Sequence, residues 1–256
     1  MPDLVQLDRR DDGVAVVTLS NGKVNALSRA LLRDLQAVVA NLMGDPPGAV
    51  VVTGGERIFA AGADISEFGG QDEAGPITEA FHATLDAVAA LPRFVIASVS
   101  GYALGGGCEL ALACDYRIAG PRAVFGQPEI LLGIIPGGGG TQRLARLVGP
   151  SRAKEMCICG RNINVNEAVR IGLADEAVDG DPMPRALELA AEVAKGALAA
   201  QALIKRAIDA GLSMSLSDAL RVERDAFVEV FATEDSRTGV ASFLQHGPGK
   251  AAFTGR

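Results

Sequence analysis

Histidine is scarce and tryptophan is absent in this chain of 256 residues. The only two histidines, His82 and His246, stand far apart, and no H-E-x-x-H motif or cluster of cysteine and histidine occurs. Zinc sites in proteins are built from closely spaced residues of these types. The sequence therefore predicts a protein without a metal site.

Cysteine is also sparse, and its spacing fits neither a disulfide framework nor a C-x-x-C motif; the residues are Cys108, Cys114, Cys157 and Cys159. Such cysteines usually pack as small buried thiols, which persist in a reducing compartment. The opening segment, MPDLVQLDRRDD, contains several acids and no apolar signal region. We therefore expect a cytoplasmic protein.

A surplus of positive charge and long apolar runs are missing as well. Lysine and arginine total 24 against 31 aspartates and glutamates, so the net charge is −7. Nonspecific binding of nucleic acid usually needs a basic face, and a membrane helix needs about 20 consecutive apolar residues. We expect no nucleic-acid and no membrane partner. A small anionic ligand is compatible with this charge, because helix N-termini and a few local cations can hold phosphate groups.

The apolar residues that are present, 48% of the chain, suffice for the core of one large domain or of one domain plus an appendage. Four short β-branched runs predict buried strands at residues 14–20, 49–54, 94–101 and 116–119. Between them, helical patterns cover residues 28–43, with Ser28 as N-cap, 76–90 and 107–113. This alternation predicts an α/β fold.

After about residue 140 the pattern predicts helices only, at residues 141–148, 151–157, 166–171, 184–211, 216–231 and 236–244. The segment 187–210 is rich in alanine and leucine and poor in charge. A face of this kind suits packing against another subunit. It equally suits covering the core of its own chain, and the pattern does not favour one over the other.

The candidate chemistry of the chain rests on two glutamates and three glycine-rich turns, at residues 62–64, 105–107 and 137–140. Glu109 follows the turn Gly105–Gly107 in the first turn of a predicted helix, and Glu129 interrupts the apolar run QPEILLGIIPG. The first N–H groups of a helix lack intrahelical partners and stabilise a developing oxyanion. Together these features are the minimum for enolate chemistry on a carbonyl substrate. Taken singly, each glycine run also reads as a tight turn, and each glutamate as an acid at a helix start.

Other glycine and serine chemistries fit less well. The motif G-x-G-x-x-G is not completed, because Leu110 stands where the last glycine belongs, and no G-x-x-x-x-G-K-[ST] occurs. A serine peptidase would need a Ser–His–Asp set. His82 lies in a helical pattern and His246 near the terminus, which disfavours that class.

The order of several motifs resembles the enoyl-CoA hydratase/isomerase (crotonase) family over nearly the whole chain. These motifs are VNALS, FAAGADISEF, VSGYALGGGCELALACDYRIAG, FGQPEILLGIIPGGGGTQRL, the Ala168–Asp175 segment and the terminal FTGR. The resemblance implies a crotonase-like α/β spiral of ββα repeats over residues 1–195. It also implies a C-terminal helical region, residues 196–256, that forms a homo-trimer, or a hexamer made of two trimers, and completes the CoA site.

The same resemblance implies the site residues. Ala63 and Gly106 would supply the two amides of the oxyanion hole. Glu109 and Glu129 would be the two acid–base residues, and the backbone of Gly137 would line the site beside them. The CoA thioester is the substrate and no further cofactor is implied. CoA-binding positions match Lys23, Ala26, Ala61, Ala63, Asp64 and Ile65, with Lys250 and Phe253 reaching across a subunit boundary. Ser66 replaces a lysine that is common in hydratases, which puts one phosphate contact in question.

Retention of both glutamates points to hydration of 2-trans-enoyl-CoA to 3-hydroxyacyl-CoA, a lyase reaction. Glu109 would activate the water and Glu129 would protonate the α-carbon, with one carboxyl neutral and one ionised at the start. Two alternatives stay open, a double-bond isomerase on the same fold and a catalytically idle CoA-binding protein. The far wall of the acyl pocket is predicted from residues 65–71 and 77–81.

Overall fold

The computed structural model describes residues 4–255 and contains two sheets. Its strands are β1 Val5–Arg9, β2 Val14–Leu19, β3 Ala49–Thr53, β4 Phe94–Val99, β5 Tyr102–Leu104, β6 Tyr116–Ala119, β7 Val124–Gly126, β8 Ile163–Asn164 and β9 Glu176–Ala177. The larger sheet has the order β1-β2-β3-β4-β6-β9 and is parallel except for the β1–β2 pair. In the smaller sheet, β7 pairs with β5 in parallel and with β8 in antiparallel orientation.

Helices lie on both faces of the larger sheet. They are α1 Arg29–Gly44, α2 Gln71–Ala89, α3 Gly106–Ala113, α4 Gly140–Val148, α5 Pro150–Cys159, α6 Val165–Ile171, α7 Pro182–Val193, α8 Leu198–Gly211, α9 Leu216–Val230 and α10 Glu234–His246. Ala15 and Val17 of β2 face the main core with α1 and α2, whereas Val14 and Val16 face α7. This split follows from strand geometry, since successive side chains point to opposite faces of a sheet.

The strands β2, β3, β4 and β6 and most helices lie where the sequence predicts them, whereas β1 was not predicted. Ser28 is the N-cap of α1, and its hydroxyl accepts a hydrogen bond from the N–H of Leu31 at 3.2 Å. The α2 helix begins at Gln71, five residues before the predicted start, and carries Pro76 inside it. The strands of two or three residues are too short to show a period of two, and the sequence did not predict them.

The prediction of one helix over residues 184–211 was wrong. The structure contains two helices, α7 and α8, separated by a turn in which Gly196 N–H donates to Val193 O at 3.0 Å. Gln201 Nε2 donates to the same carbonyl at 3.0 Å, which satisfies the end of α7. Glycine has a low helix propensity, and a Cβ at Gly196 would lie 2.2 Å from Gln201 Nε2. The glycine at position 196 therefore favours the break between α7 and α8.

The two halves of the alanine- and leucine-rich segment have different surroundings. Ala186 and Ala190 of α7 are fully buried against the sheet of the same chain. On α8, Lys205 forms an ion pair of 2.7 Å with Asp115, while Ile204 and Ile208 are exposed. Large apolar side chains of α9 and α10 are exposed as well, namely Leu216, Leu220, Phe227, Val228, Val240, Phe243 and Leu244.

Candidate active site

The three glycine-rich turns meet at one cavity of about 940 Å³. Its lining combines Gly62, Ala63, Gly105, Gly106, Gly137 and Gly138 with Glu109 and Glu129. The smaller sheet supports this arrangement, because β5 leads into the turn before α3 and β7 leads toward Glu129. Residues that are far apart in sequence thus line one cavity.

Two backbone amides are available inside this cavity. Gly106 is the first residue of α3, so its N–H has no intrahelical partner. Within residues 4–255, neither this N–H nor that of Ala63 donates a backbone hydrogen bond. A Cβ built on Gly106 would lie 3.4 Å from Ala63 N, which places the two amides side by side. Such a pair can hold the oxygen of a polarised carbonyl.

Glu109 is buried in the first turn of α3, with 2% of its surface exposed. Its Oε1 accepts hydrogen bonds from the N–H groups of Gly138 at 2.7 Å and Gly140 at 2.8 Å. Burial raises the pKa of Glu109, and these two hydrogen bonds oppose the rise. The run Gly137–Gly140 therefore does more than turn the chain. Its amides hold Oε1 and leave Oε2 near the Cα of Gly138, where a Cβ would lie 2.5 Å away.

Glu129 reaches the cavity from the 3₁₀ helix Pro128–Leu132 and is half-buried. Burial raises its pKa to about 7; the charge of Glu109 adds to the rise and its own backbone N–H opposes it. The neighbouring Gln127 is completely buried. With its amide nitrogen toward Glu129, Gln127 donates to Oε1 at 2.9 Å and to Oε2 at 3.2 Å. Gln127 thereby orients the carboxyl group, a role that the sequence reasoning missed.

Of the positions matched to CoA binding, Ala61, Ala63 and Ile65 line the cavity. Asp64 instead caps a 3₁₀ helix, where it accepts from Ser66 N at 3.0 Å and from Ser66 Oγ at 2.6 Å. Lys23 and Arg57 line a separate polar cavity of about 290 Å³, and Ala26 lies in the adjoining loop.

Lys250 and Phe253 are not among the residues that line the main cavity of their own chain. The ring of Phe253 packs near Gly239 of α10, at 3.3 Å from the position of a Cβ there. The terminal segment is tied down by Asp235, which is 2% exposed and accepts from Thr254 N at 2.7 Å and from Gly255 N at 2.8 Å. Contact of Lys250 and Phe253 with CoA across a subunit boundary stays a prediction.

The cavity has the wall that the sequence predicts for an acyl chain, and a second apolar wall. Ile65, Phe68, Gln71, Ile77, Thr78 and Phe81 lie along the first wall as predicted, and His82 follows them. The opposite wall comes from Leu131, Leu132, Ile134 and Ile135, of which Leu131 is 72% and Ile135 73% exposed. The apolar residues between Glu129 and the Gly137–Gly140 run are the feature of the sequence that could have indicated this second wall.

Comparison with known proteins gives the same family over the same length. The model of the family described as enoyl-CoA hydratase/isomerase matches residues 9–256. The chain is 41% identical over 242 residues to the short-chain-enoyl-CoA hydratase of Clostridium acetobutylicum, with 92% of this chain and 93% of that protein covered. It is 43% identical over 234 residues to a probable enoyl-CoA hydratase of Rhizobium meliloti, with 90% and 91% covered.

The chain belongs to the enoyl-CoA hydratase/isomerase family. The solved structure of an enoyl-CoA hydratase from Bacillus anthracis superposes with a TM-score of 0.92 at 36% identity, covering 99% of this chain and all of that one. The family resemblance and the crotonase-like α/β fold predicted from the sequence are therefore confirmed. Among residues 4–255, the structure contains no helix of the length and apolarity that a bilayer crossing requires.

Proposed function

We propose that this protein is an enoyl-CoA hydratase that adds water to 2-trans-enoyl-CoA and gives 3-hydroxyacyl-CoA. One observation carries the proposal: two glutamates with raised pKa line the same cavity as Ala63 and Gly106, whose N–H groups donate no backbone hydrogen bond. Groups of this kind, gathered in one pocket, indicate acid–base chemistry. The names of the relatives at about 40% identity support the same reaction.

The thioester oxygen accepts hydrogen bonds from Ala63 N–H and Gly106 N–H, which draws electron density from the β-carbon. The two amide hydrogen bonds to Oε1 favour the ionised form of Glu109 and oppose the rise in its pKa that burial causes. In the proposed reaction this carboxylate removes a proton from the attacking water. The C–O bond forms at the β-carbon, and Glu129 delivers its proton to the α-carbon. Two close carboxyl groups in one pocket favour this singly ionised start.

The direct test is the ultraviolet absorbance of crotonyl-CoA. Hydration removes the conjugated double bond, so we expect the absorbance to fall when enzyme is added. Unchanged absorbance with normal CoA binding would instead identify an idle CoA-binding protein. A double-bond isomerase would convert a 3-enoyl-CoA into its 2-enoyl isomer without forming the hydroxy product, and product analysis separates that case.

The rate should fall on the alkaline side of about pH 7. Glu129 is neutral below its raised pKa of about 7 and loses the proton it must donate above that pH. On the acid side, protonation of Glu109 should remove the base, which gives a bell-shaped profile of kcat/KM against pH. The two groups interact, so the profile reports the pair. A flat profile between pH 6 and about 9 would contradict these roles.

The CoA moiety is proposed to contact Lys23, Ala26, Ala61, Ala63, Asp64 and Ile65, with Lys250 and Phe253 supplied by a neighbouring subunit. A homo-trimer, or a hexamer of two trimers, would cover the exposed apolar side chains of α8, α9 and α10. The free thiols Cys108, Cys114, Cys157 and Cys159 suit the reducing cytoplasm. The mass of the purified protein in solution tests the assembly.

Replacing Asp235 by alanine should weaken CoA binding selectively. Its carboxylate holds the backbone at Thr254 and Gly255, next to Phe253. We expect KM for crotonyl-CoA to rise by about tenfold, as for the loss of a charge-assisted hydrogen bond, while KM for crotonyl-pantetheine stays unchanged. Parallel increases for both thioesters would show that this segment does not serve the nucleotide end.

A further inference from the structure

Asn25 is the only residue other than glycine, within residues 4–255, whose backbone lies in the left-handed region, with a φ of 49°. Asparagine tolerates this region better than most residues, but it still carries strain. Such strain persists only where the surrounding structure imposes it, and it concentrates at functional sites. Asn25 is 4% exposed and does not line the main cavity. It borders the smaller polar cavity beside Lys23 instead. An effect of Asn25 on the groups that line the main cavity must therefore pass through other residues.

The side chain of Asn25 connects three segments. Its Nδ2 donates to Gly54 O at 3.0 Å and to Phe59 O at 3.2 Å. Its Oδ1 accepts from Asn21 N at 2.9 Å. One buried amide thus joins the loop after β2 to the end of β3 and to the segment that leads to Ala63.

The residues around Asn25 run parallel to residues 61–64 and hold them by backbone hydrogen bonds. Ala61 N donates to Val24 O at 3.0 Å, and Asp64 N donates to Leu27 O at 3.3 Å. Between these two, Leu27 N donates to Gly62 O at 2.8 Å. The loop at 24–27 therefore serves as a template for the conformation of residues 61–64.

The bond from Leu27 fixes the direction of one oxyanion amide. Gly62 C=O and Ala63 N–H belong to the same planar trans peptide unit, so they point in opposite directions. Because Leu27 N–H holds that carbonyl on the outer side, Ala63 N–H is turned toward the cavity. An oxyanion donor must lie within about 2.7–3.1 Å of the developing charge, so a small rotation of this peptide unit would cost rate.

We propose that Asn25 is a positioning residue for the oxyanion hole, which acts through Leu27 on the peptide unit that carries Ala63 N–H. The inference rests on the proposed function, since it assigns this amide to the thioester oxygen. It explains why a strained conformation is kept at a buried residue outside the cavity.

Two variants separate the side chain from the backbone conformation. Asn25→Gly keeps the freedom to adopt positive φ and removes the amide, and Asn25→Asp keeps the shape but removes both donated hydrogen bonds. Asn164→Ala is the matched control, because Asn164 also accepts a backbone N–H, that of Glu167 at 3.0 Å, as the N-cap of α6 outside the cavity. The readouts are kcat and KM for crotonyl-CoA and the absorption of bound cinnamoyl-CoA, which moves to longer wavelength when its carbonyl is polarised.

We expect each Asn25 variant to lower kcat by about 10- to 100-fold, below the cost of losing a whole oxyanion donor, with a much smaller change in KM. The red shift of bound cinnamoyl-CoA should shrink in both variants and persist in Asn164→Ala. A folded variant that melts at a lower temperature but keeps kcat and the full red shift would overturn the proposal. If one variant fails to fold, the other decides the outcome. A wild-type protein that shifts cinnamoyl-CoA without hydrating crotonyl-CoA would refute the hydratase alone, and the shift in the variants would still test Asn25.

Discussion

Replacing Glu129 by glutamine should lower kcat for crotonyl-CoA hydration by about 10²- to 10⁴-fold, the range for loss of a general acid. Glutamine has the shape of the protonated acid but cannot deliver its proton to the α-carbon. The 3₁₀ helix Pro128–Leu132 and the contact with Gln127 should survive, because an amide oxygen still accepts the hydrogen bond. KM should change little, since the thioester is held by other groups.

Stability is the control for this variant. Glu129 is half-buried with a pKa of about 7, so its ionised form opposes folding at higher pH. Glu129→Gln should therefore melt at about the same temperature as the wild type at about pH 4, and at a progressively higher temperature than the wild type as the pH rises from about 4.5 to about 7. Glu188→Gln, on an exposed side chain that pairs with Arg185, provides a matched substitution outside the site. Activity within tenfold of the wild type would exclude Glu129 as the acid.

Replacing Glu109 by glutamine should lower kcat by a similar factor, about 10²- to 10⁴-fold, because the base that activates water is lost. The side-chain oxygen of glutamine can still accept from Gly138 N–H and Gly140 N–H. Glu109→Ala, by contrast, leaves these amides without an acceptor. That variant should lower the free energy of unfolding by about 1–3 kcal/mol, measured by urea denaturation.

The double variant distinguishes concerted from independent action. If water addition at the β-carbon, assisted by Glu109, and protonation of the α-carbon by Glu129 occur in one step, the double glutamine variant should be no more than about tenfold slower than either single variant. Additive losses, with the two factors multiplying, would assign the residues to separate steps. A wild-type rate in Glu109→Gln would contradict its role altogether.

The sequence correctly predicts the structural features that depend only on neighbouring residues. Ser28 precedes an apolar period and caps α1, and the glycine turn before Glu109 marks the start of α3. The order of motifs across the chain was specific enough to indicate the family and its fold. The cap and the turn are set within a few neighbouring residues and the order of motifs is read directly along the chain, which is why a single sequence displays them.

Features that depend on distant partners could not be predicted in the same way. The amides of Gly138 and Gly140 meet Glu109 across about 30 residues, and the glycine run alone reads as an ordinary turn. Gln127 faces Glu129 only because the chain turns at Pro128, and a left-handed conformation at Asn25 leaves no mark in the sequence pattern. In the segment 184–211, one glycine outweighed the helix propensity of its neighbours.

The hydrogen bonds from Gly138 N–H and Gly140 N–H to Glu109 also determine the stage of protein synthesis at which the pocket can first form. A nascent chain that has emerged from the ribosome only up to α3 exposes an acid whose two backbone donors have not yet emerged. The nascent chain therefore cannot settle this helix in its final environment until the downstream turn emerges. A chain truncated before Gly138 would therefore carry a buried-type acid at position 109 with neither of its backbone partners.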